Sequence, residues 1–286
     1  MPDDSAPSAD PNDDPVTIVS TQASTARVYD YLMGGDDNFA VDRDIADRVA
    51  TQIGGMDKAM VGLRAQRAFL DDTFRRLAGE LEVRQFLDIG VGIPTAENVP
   101  AVAQQVAPEA RIVYVDNDPL VLAHAHSLQR STPEGATAYV NADLRDPTTI
   151  LKQAAATLDF GEPVAIVLVA ILHLFEDDEG PQDIVAELVE AMQSQSYLVI
   201  SHAAADIQGE EMARLAAHIR QTTPGSLVLR TNAEVARFFE GMEMLEPGLV
   251  PLDQWHQWRR GEPTEPDPAS STAWRPPYHV GVGRKP

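Results

Sequence analysis

The chain has no cysteine. That excludes a disulfide framework, a thiolate metal site and a cysteine nucleophile. Basic residues are scarce, with 22 Lys and Arg against 44 Asp and Glu, a formal net charge of -22. Nucleic-acid affinity rests largely on Lys and Arg neutralising phosphates, so no DNA or RNA partner is expected. No apolar run is long enough to cross a bilayer. The opening Met1-Pro2-Asp3-Asp4 lacks the basic, apolar pattern of a secretory leader. The expectations are a cytoplasmic location and no membrane partner. Zinc spacing is also missing; His124 and His126, two apart on an expected helix, point to different faces. What the chain does have is 44% hydrophobic residues among 286, ample for a packed core in one large domain or two small ones.

The rest is organised around Phe86-Leu87-Asp88-Ile89-Gly90-Val91-Gly92-Ile93-Pro94-Thr95. A short apolar run ends in acid, then a glycine pair, then residues able to open a helix. This reads as a buried parallel strand and a tight turn whose backbone can approach a ligand. A second apolar run ends at Asp116-Asn117-Asp118, about 20 residues on, the spacing at which a next strand offers a carboxylate to a ribose. A third ends at Asp143, before Leu144.

Acids at three successive strand ends resemble a class I S-adenosylmethionine-dependent methyltransferase. A more specific match lies upstream, from Ala26-Arg27-Val28-Tyr29-Asp30-Tyr31-Leu32-Met33-Gly34-Gly35 to Asp42-Arg43. With Val113 to Pro119, it is similar to an actinobacterial family of S-adenosylmethionine methyltransferases first catalogued as a domain of unknown function. The resemblance covers nearly everything from Ala26 onward. It implies an α/β fold: a Rossmann-like, seven-stranded, mostly parallel sheet with helices on both faces. It also implies an N-terminal helical lid that places Tyr31, Gly34, Gly35 and Asn38 near the cofactor. Asp36 stands where a basic residue is expected.

Residue chemistry agrees with that cofactor. S-adenosylmethionine carries an ammonium, a carboxylate, a sulfonium, two ribose hydroxyls and an adenine, but no phosphate. Asp88 favours the ammonium and would repel a pyrophosphate. Gly90 and Gly92 admit the backbone to the amino-acid part. Thr95 occupies the place where a dinucleotide fingerprint needs Gly or Ala, so NAD and a nicotinamide-dependent oxidoreductase are disfavoured. Asp116 can accept from both ribose hydroxyls, with Asn117 orienting the ribose or adenine. Asp143 can accept from the adenine amino group while the Leu144 N–H donates to the ring. Each acid taken singly also reads as a helix cap.

Strands are expected near 84–89, 111–115, 136–141, 163–170 and 196–201, with helices near 95–106, 119–129, 147–157 and 181–192. Residues 1–16, with five Asp, four Pro and no basic residue, read as a disordered acidic tail. Residues 17–83 read as the helical lid, and 84–286 as the cofactor-binding domain. Within the lid, 57–80 reads as a long amphipathic helix with no chemistry of its own. Helices are expected at 206–220 and 233–239, strands at 242–249 and 278–283, and an irregular stretch at 261–277. Ala170 ends the fourth strand, facing the sulfonium, and His173 just beyond it is the candidate general base. His202 is a second candidate. Trp255, Trp258, Trp274 and Tyr278 suit either an acceptor pocket or core packing. The expected activity is methyl transfer to a small molecule, yielding S-adenosylhomocysteine. The alternative is a non-catalytic protein that senses the same cofactor. A homodimer is compatible with the sequence, but nothing demands one.

Overall fold

The structure is a computed structural model that describes residues 20–93, 99–121, 124, 131–222, 226–262 and 274–286. The expected acidic tail lies outside these residues, as do Pro94, Thr95, His126 and most of the stretch 261–277.

Five parallel strands form the centre: β1 (Gln85–Ile89), β2 (Arg111–Asp116), β3 (Ala136–Asn141), β4 (Ala165–Val169) and β5 (Tyr197–Ala203). The order along the sheet is β3-β2-β1-β4-β5, so the order of winding reverses beside β1. The last strand, β8 (Tyr278–Arg284), lies antiparallel against β5 and pairs Tyr278 with Ala203.

The sheet has eight strands rather than the seven expected. The expected strand 242–249 is two short pieces, β6 (Glu243–Met244) and β7 (Val250–Pro251), which both pair with β8. Between them the Gly248 N–H turns back to the Leu245 carbonyl, 2.7 Å away. Pro247 has no N–H to give a ladder, so continuous pairing stops there.

Alternation along the strands divides the core in two. Leu87, Ile89, Val113, Val115, Ile166, Leu168, Leu198 and Ile200 face one side, under helices α5 (Pro147–Ala154) and α6 (Pro181–Ala191). Phe86, Ile112, Tyr114, Val167, Val199 and Val280 face the other, under α3 (Met56–Gly79) and α4 (Val99–Val106). Period-two alternation with apolar residues on both sides is what a sheet covered on both faces requires.

Helix α3 fills the place of the long amphipathic helix. Its Phe69, Phe74 and Leu77 pack with Phe86 of β1, so it belongs to the core layer. Above it sit α1 (Thr25–Leu32) and α2 (Ala40–Gln52), which form the cap over the sheet's carboxyl end. A further helix, α7 (Gly209–Thr222), meets α2 from the far side. Two short helices complete the described chain, α8 (Asn232–Ala236) and α9 (Leu252–Arg259). Trp255 of α9 is fully buried and meets the Phe69 ring edge-on at 5.0 Å, so it packs the core. No helix among the described residues is long and apolar enough to cross a membrane.

Candidate active site

A cavity of about 810 Å³ opens at the carboxyl ends of the parallel strands. Open α/β sheets bind ligands there, where strand order reverses. Asp88, Gly90, Gly92, Asp116, Asn117, Asp143, Leu144, Ala170 and His173 all line it.

The glycine loop is shaped by contacts that only glycine permits. Gly90 has φ +80°, and a Cβ there would lie 2.4 Å from Ile171 Cδ1. Its N–H donates to the Val115 carbonyl at 2.8 Å, tying β1's turn to β2. The Gly92 N–H donates to Asp116 Oδ2 at 2.9 Å, and Asp116 Oδ1 accepts from the Asp118 N–H at 2.9 Å. Asp116 is therefore held on one oxygen by the glycine loop and on the other by its own loop, and it lines the cavity. Burial raises its carboxyl above the ordinary range, against those N–H bonds.

Asp88 is 4% exposed, and burial lifts its carboxyl from 3.8 to about 7. The Arg67 guanidinium opposes this shift, and Asp116 adds to it. On β3's side, Asp143 accepts from the Asn117 amide at 2.9 Å and from the Arg145 N–H at 2.9 Å. Burial alone would raise Asp143, but these bonds and the Arg145 charge hold it below the usual range. Arg145 also lies 4.6 Å over the Phe175 ring, and both line the cavity.

At the end of β4, Ala170 sits at φ +60°, a strained setting for a residue with a Cβ. Its N–H donates to Ser201 Oγ at 2.9 Å, and that hydroxyl donates to Gln66 Oε1 at 2.8 Å. His173 is buried against the cavity, and its Nδ1 has no hydrogen-bond partner among the described residues. Burial first, then Arg230, lowers its pKa to about 4, so the ring is neutral. His202 does not line the cavity. Its Nδ1 meets the Ala203 carbonyl at 2.9 Å and its Nε2 accepts from Arg230 at 2.8 Å, which commits both nitrogens to packing.

Tyr31, Gly34, Gly35 and Asn38 are not among the cavity-lining residues. They build a turn around the buried Asp30 carboxylate instead. Asp30 Oδ2 accepts from the Asp37 N–H and the Asn38 amide, each at 2.9 Å. Gly34 takes φ +89°. A Cβ on Gly35 would fall 2.0 Å from Asp30 Oδ1. Gly35→Ala should therefore cost the cap about 1–3 kcal/mol by breaking these bonds. Amide exchange in α1 and α2 reads that loss, and unchanged exchange would refute the account.

The cap reaches the cavity through other residues. Arg27 is buried and donates to Asp42 Oδ2 at 2.9 Å, while its charge lies 3.6 Å from Asp118. Asp42, itself fully buried, also accepts from the Ser24 and Phe39 N–H groups. Ser24 Oγ donates to Asp118. His124 meets Asp37 of the turn at 3.3 Å. From the core layer, Gln66 and Arg67 of α3 join Tyr29 of α1 and Tyr278 of β8 at the wall. The sequence reading assigned no chemistry to Gln66, Arg67 or Arg145. Gln66 carried a readable signal, since it is a polar residue in step with Leu63 and Leu70 on the apolar face of α3.

The chain matches the family model described as S-adenosyl methyltransferase over residues 11–286. It belongs to that family. S-adenosylmethionine is accordingly the cofactor of this methyltransferase. A DUF574 family protein of Streptomyces avermitilis is similar to it, at 40% identity over 93% of this chain and 99% of that one, with a TM-score of 0.83. A protein of Thermobifida fusca, provisionally designated a methyltransferase, is 37% identical over 93% of this chain and 96% of that one, with a TM-score of 0.80. No curated protein matches the methyltransferase. Among the described residues it has no group of three or more His, Cys, Asp or Glu able to hold a metal ion.

Proposed function

We propose that the methyltransferase acts on a small molecule, with the donor over β1, β2 and β3 and the acceptor over β4, β5 and β8. The observation that carries this is the lining of this cavity. Its acids lie at the β1–β3 ends, while Ala203, Met212, Leu215, Ile219 and Leu227 line the opposite lobe. At about 810 Å³ it sits high in the usual range for small-molecule sites, roughly 300–1,000 Å³.

In this reading Asp88 takes the donor's ammonium and Arg67 its carboxylate, since these opposite charges face one cavity beside the glycine loop. Gly90 and Gly92 let the backbone approach the same part. Asp116 takes the ribose hydroxyls, with Asn117 beside it. Asp143, with the Leu144 backbone, reads the adenine edge, and Arg145 stacked on Phe175 bounds that end. Ala170 and His173 border the transfer zone.

The donor supplies an activated methyl group. The acceptor's lone pair bonds to the methyl carbon as the carbon–sulfur bond breaks, and that electron pair stays on sulfur as the thioether. Much of the acceleration can come from holding the acceptor in line. His173 borders the transfer zone as a buried, neutral ring. Its surroundings oppose the imidazolium that a general base must become, which favours acceptors such as amines that need no strong base.

Calorimetric titration with S-adenosylmethionine, S-adenosylhomocysteine and NAD tests the donor side. Tight binding of the two sulfur ligands alone is expected. Asp116→Asn should weaken both by about 1–3 kcal/mol. An unchanged affinity in a folded variant would remove Asp116 from the site. Release of S-adenosylhomocysteine in the presence of a small-molecule extract then separates an enzyme from a sensor.

A further inference from the structure

Helix α3 carries a buried glycine, Gly62, in its interior. Glycine there is unfavourable by about 0.5–1 kcal/mol relative to alanine, and no positive φ explains it. What surrounds it does. A Cβ at Gly62 would lie 3.5 Å from Trp274 Cη2 and 3.7 Å from Tyr278 Cε2, in ordinary contact with both. With no side chain at 62, both rings lie close over α3 there.

Gly62 and both rings line a second, smaller cavity of about 70 Å³. It adjoins the donor cavity, because Leu32, Val49, Leu63, Met212, Leu215 and Tyr278 line both. Its wall is almost wholly apolar. Its outer end is marked by the Trp274 ring and by Lys58, whose ammonium lies 5.8 Å from that ring and 4.0 Å from Glu211. The inner end opens on the polar group of the larger cavity, where Gln66 bonds the Tyr278 hydroxyl. The walls thus run from polar, beside the strand ends, to apolar, between α2, α3 and α7.

We propose that the acceptor is chain-like: a nucleophilic head beside Tyr278 and Gln66, and a slender alkyl tail running past Gly62 toward Trp274. This rests on the acceptor reading above and narrows it to substrates bearing an alkyl or similarly slender apolar extension. Rings fused directly to the head would fill the larger lobe but leave the passage empty. Gly62 is then a specificity determinant, since its size sets how long a tail fits.

The test uses the full chain and a homologous probe set, n-butylamine to n-dodecylamine, titrated with and without saturating S-adenosylhomocysteine. Burying each added methylene should tighten binding roughly fourfold until the passage is full. Gly62→Leu should abolish the increments for the longer probes. Gly62→Ala, which adds only a methyl in ordinary contact and favours the helix, should end the series about one methylene earlier. It serves if the leucine variant does not fold. Affinity independent of chain length in the wild type, or an identical series in Gly62→Ala and wild type, overturns the proposal. Failure to bind S-adenosylhomocysteine is a different outcome, since it strikes the donor assignment and leaves the chain-length series readable.

Discussion

Arg27→Ala is expected to loosen the cap by about 3–5 kcal/mol, the usual effect of removing one partner from a buried ion pair. Arg27 and Asp42 have side chains 5% and 0% exposed, and Asp118 is 8% exposed. Without the guanidinium, two carboxylates face each other in a site that water reaches poorly. Asp42 keeps its bonds from the Ser24 and Phe39 N–H groups, which places the effect toward the lower end of that range. Arg27→Lys should recover only part, since an ammonium cannot span both acids with the fork geometry of a guanidinium. Denaturant unfolding reports the loss if the cap melts with the sheet, and amide exchange across α1 and α2 reports it in either case. Because Asp118 lies two residues beyond Asp116, donor affinity should fall in the same variant. Full exchange protection in Arg27→Ala would show that the clamp does not hold the cap.

The second large effect concerns pH. Asp88 titrates near 7 because it is buried, and in the proposed role it holds an ammonium. A cation favours the ionised carboxylate, so binding should release a proton below about pH 7 and donor affinity should rise as pH increases through that value. Above about pH 8 the donor's own amine loses its proton, and affinity should fall again. Asp88→Asn should weaken donor binding ten- to a hundredfold at neutral pH and remove the rising limb. The sign reverses for the ligand-free protein. The folded pKa lies above the ordinary 3.8, so this group's contribution to stability is full at low pH and is lost as pH rises toward 7. Asp88→Asn should therefore raise the melting temperature of the apo form at neutral pH while crippling binding. A variant that binds less tightly with an unaltered pH profile would show the rising limb to come from another group.

The parallel strands were legible because each is a short apolar run closed by an acid or a turn. Their observed bounds differ from the expected ones by a residue or two. The break between β6 and β7 was less visible, since Met242, Met244, Leu245 and Leu249 supply an apolar run across it; only Pro247-Gly248 signalled the interruption. The inward face of α1 was not legible. The apolar pattern of α1 pointed to Val28, Tyr31 and Leu32, whereas the buried residues are Arg27, Asp30 and Leu32. Two charged residues go inside there because partners arrive from elsewhere: Asn38 and the Asp37 N–H for Asp30, Asp42 and Asp118 for Arg27. Pairing at that sequence distance leaves no periodic trace in a single helix. The same holds for Arg67, whose place at the cavity depends on how α3 lies against β1.

The loop after β2 has two attachments. Asp116, the last residue of β2, lines the cavity, and Asp118, two residues on, bonds the cap. A change in this loop therefore reaches the cap and the cavity together. Weakening Asp118 alone should therefore loosen the cap and lower donor affinity together, which amide exchange across α1 and α2 and calorimetric titration would read side by side.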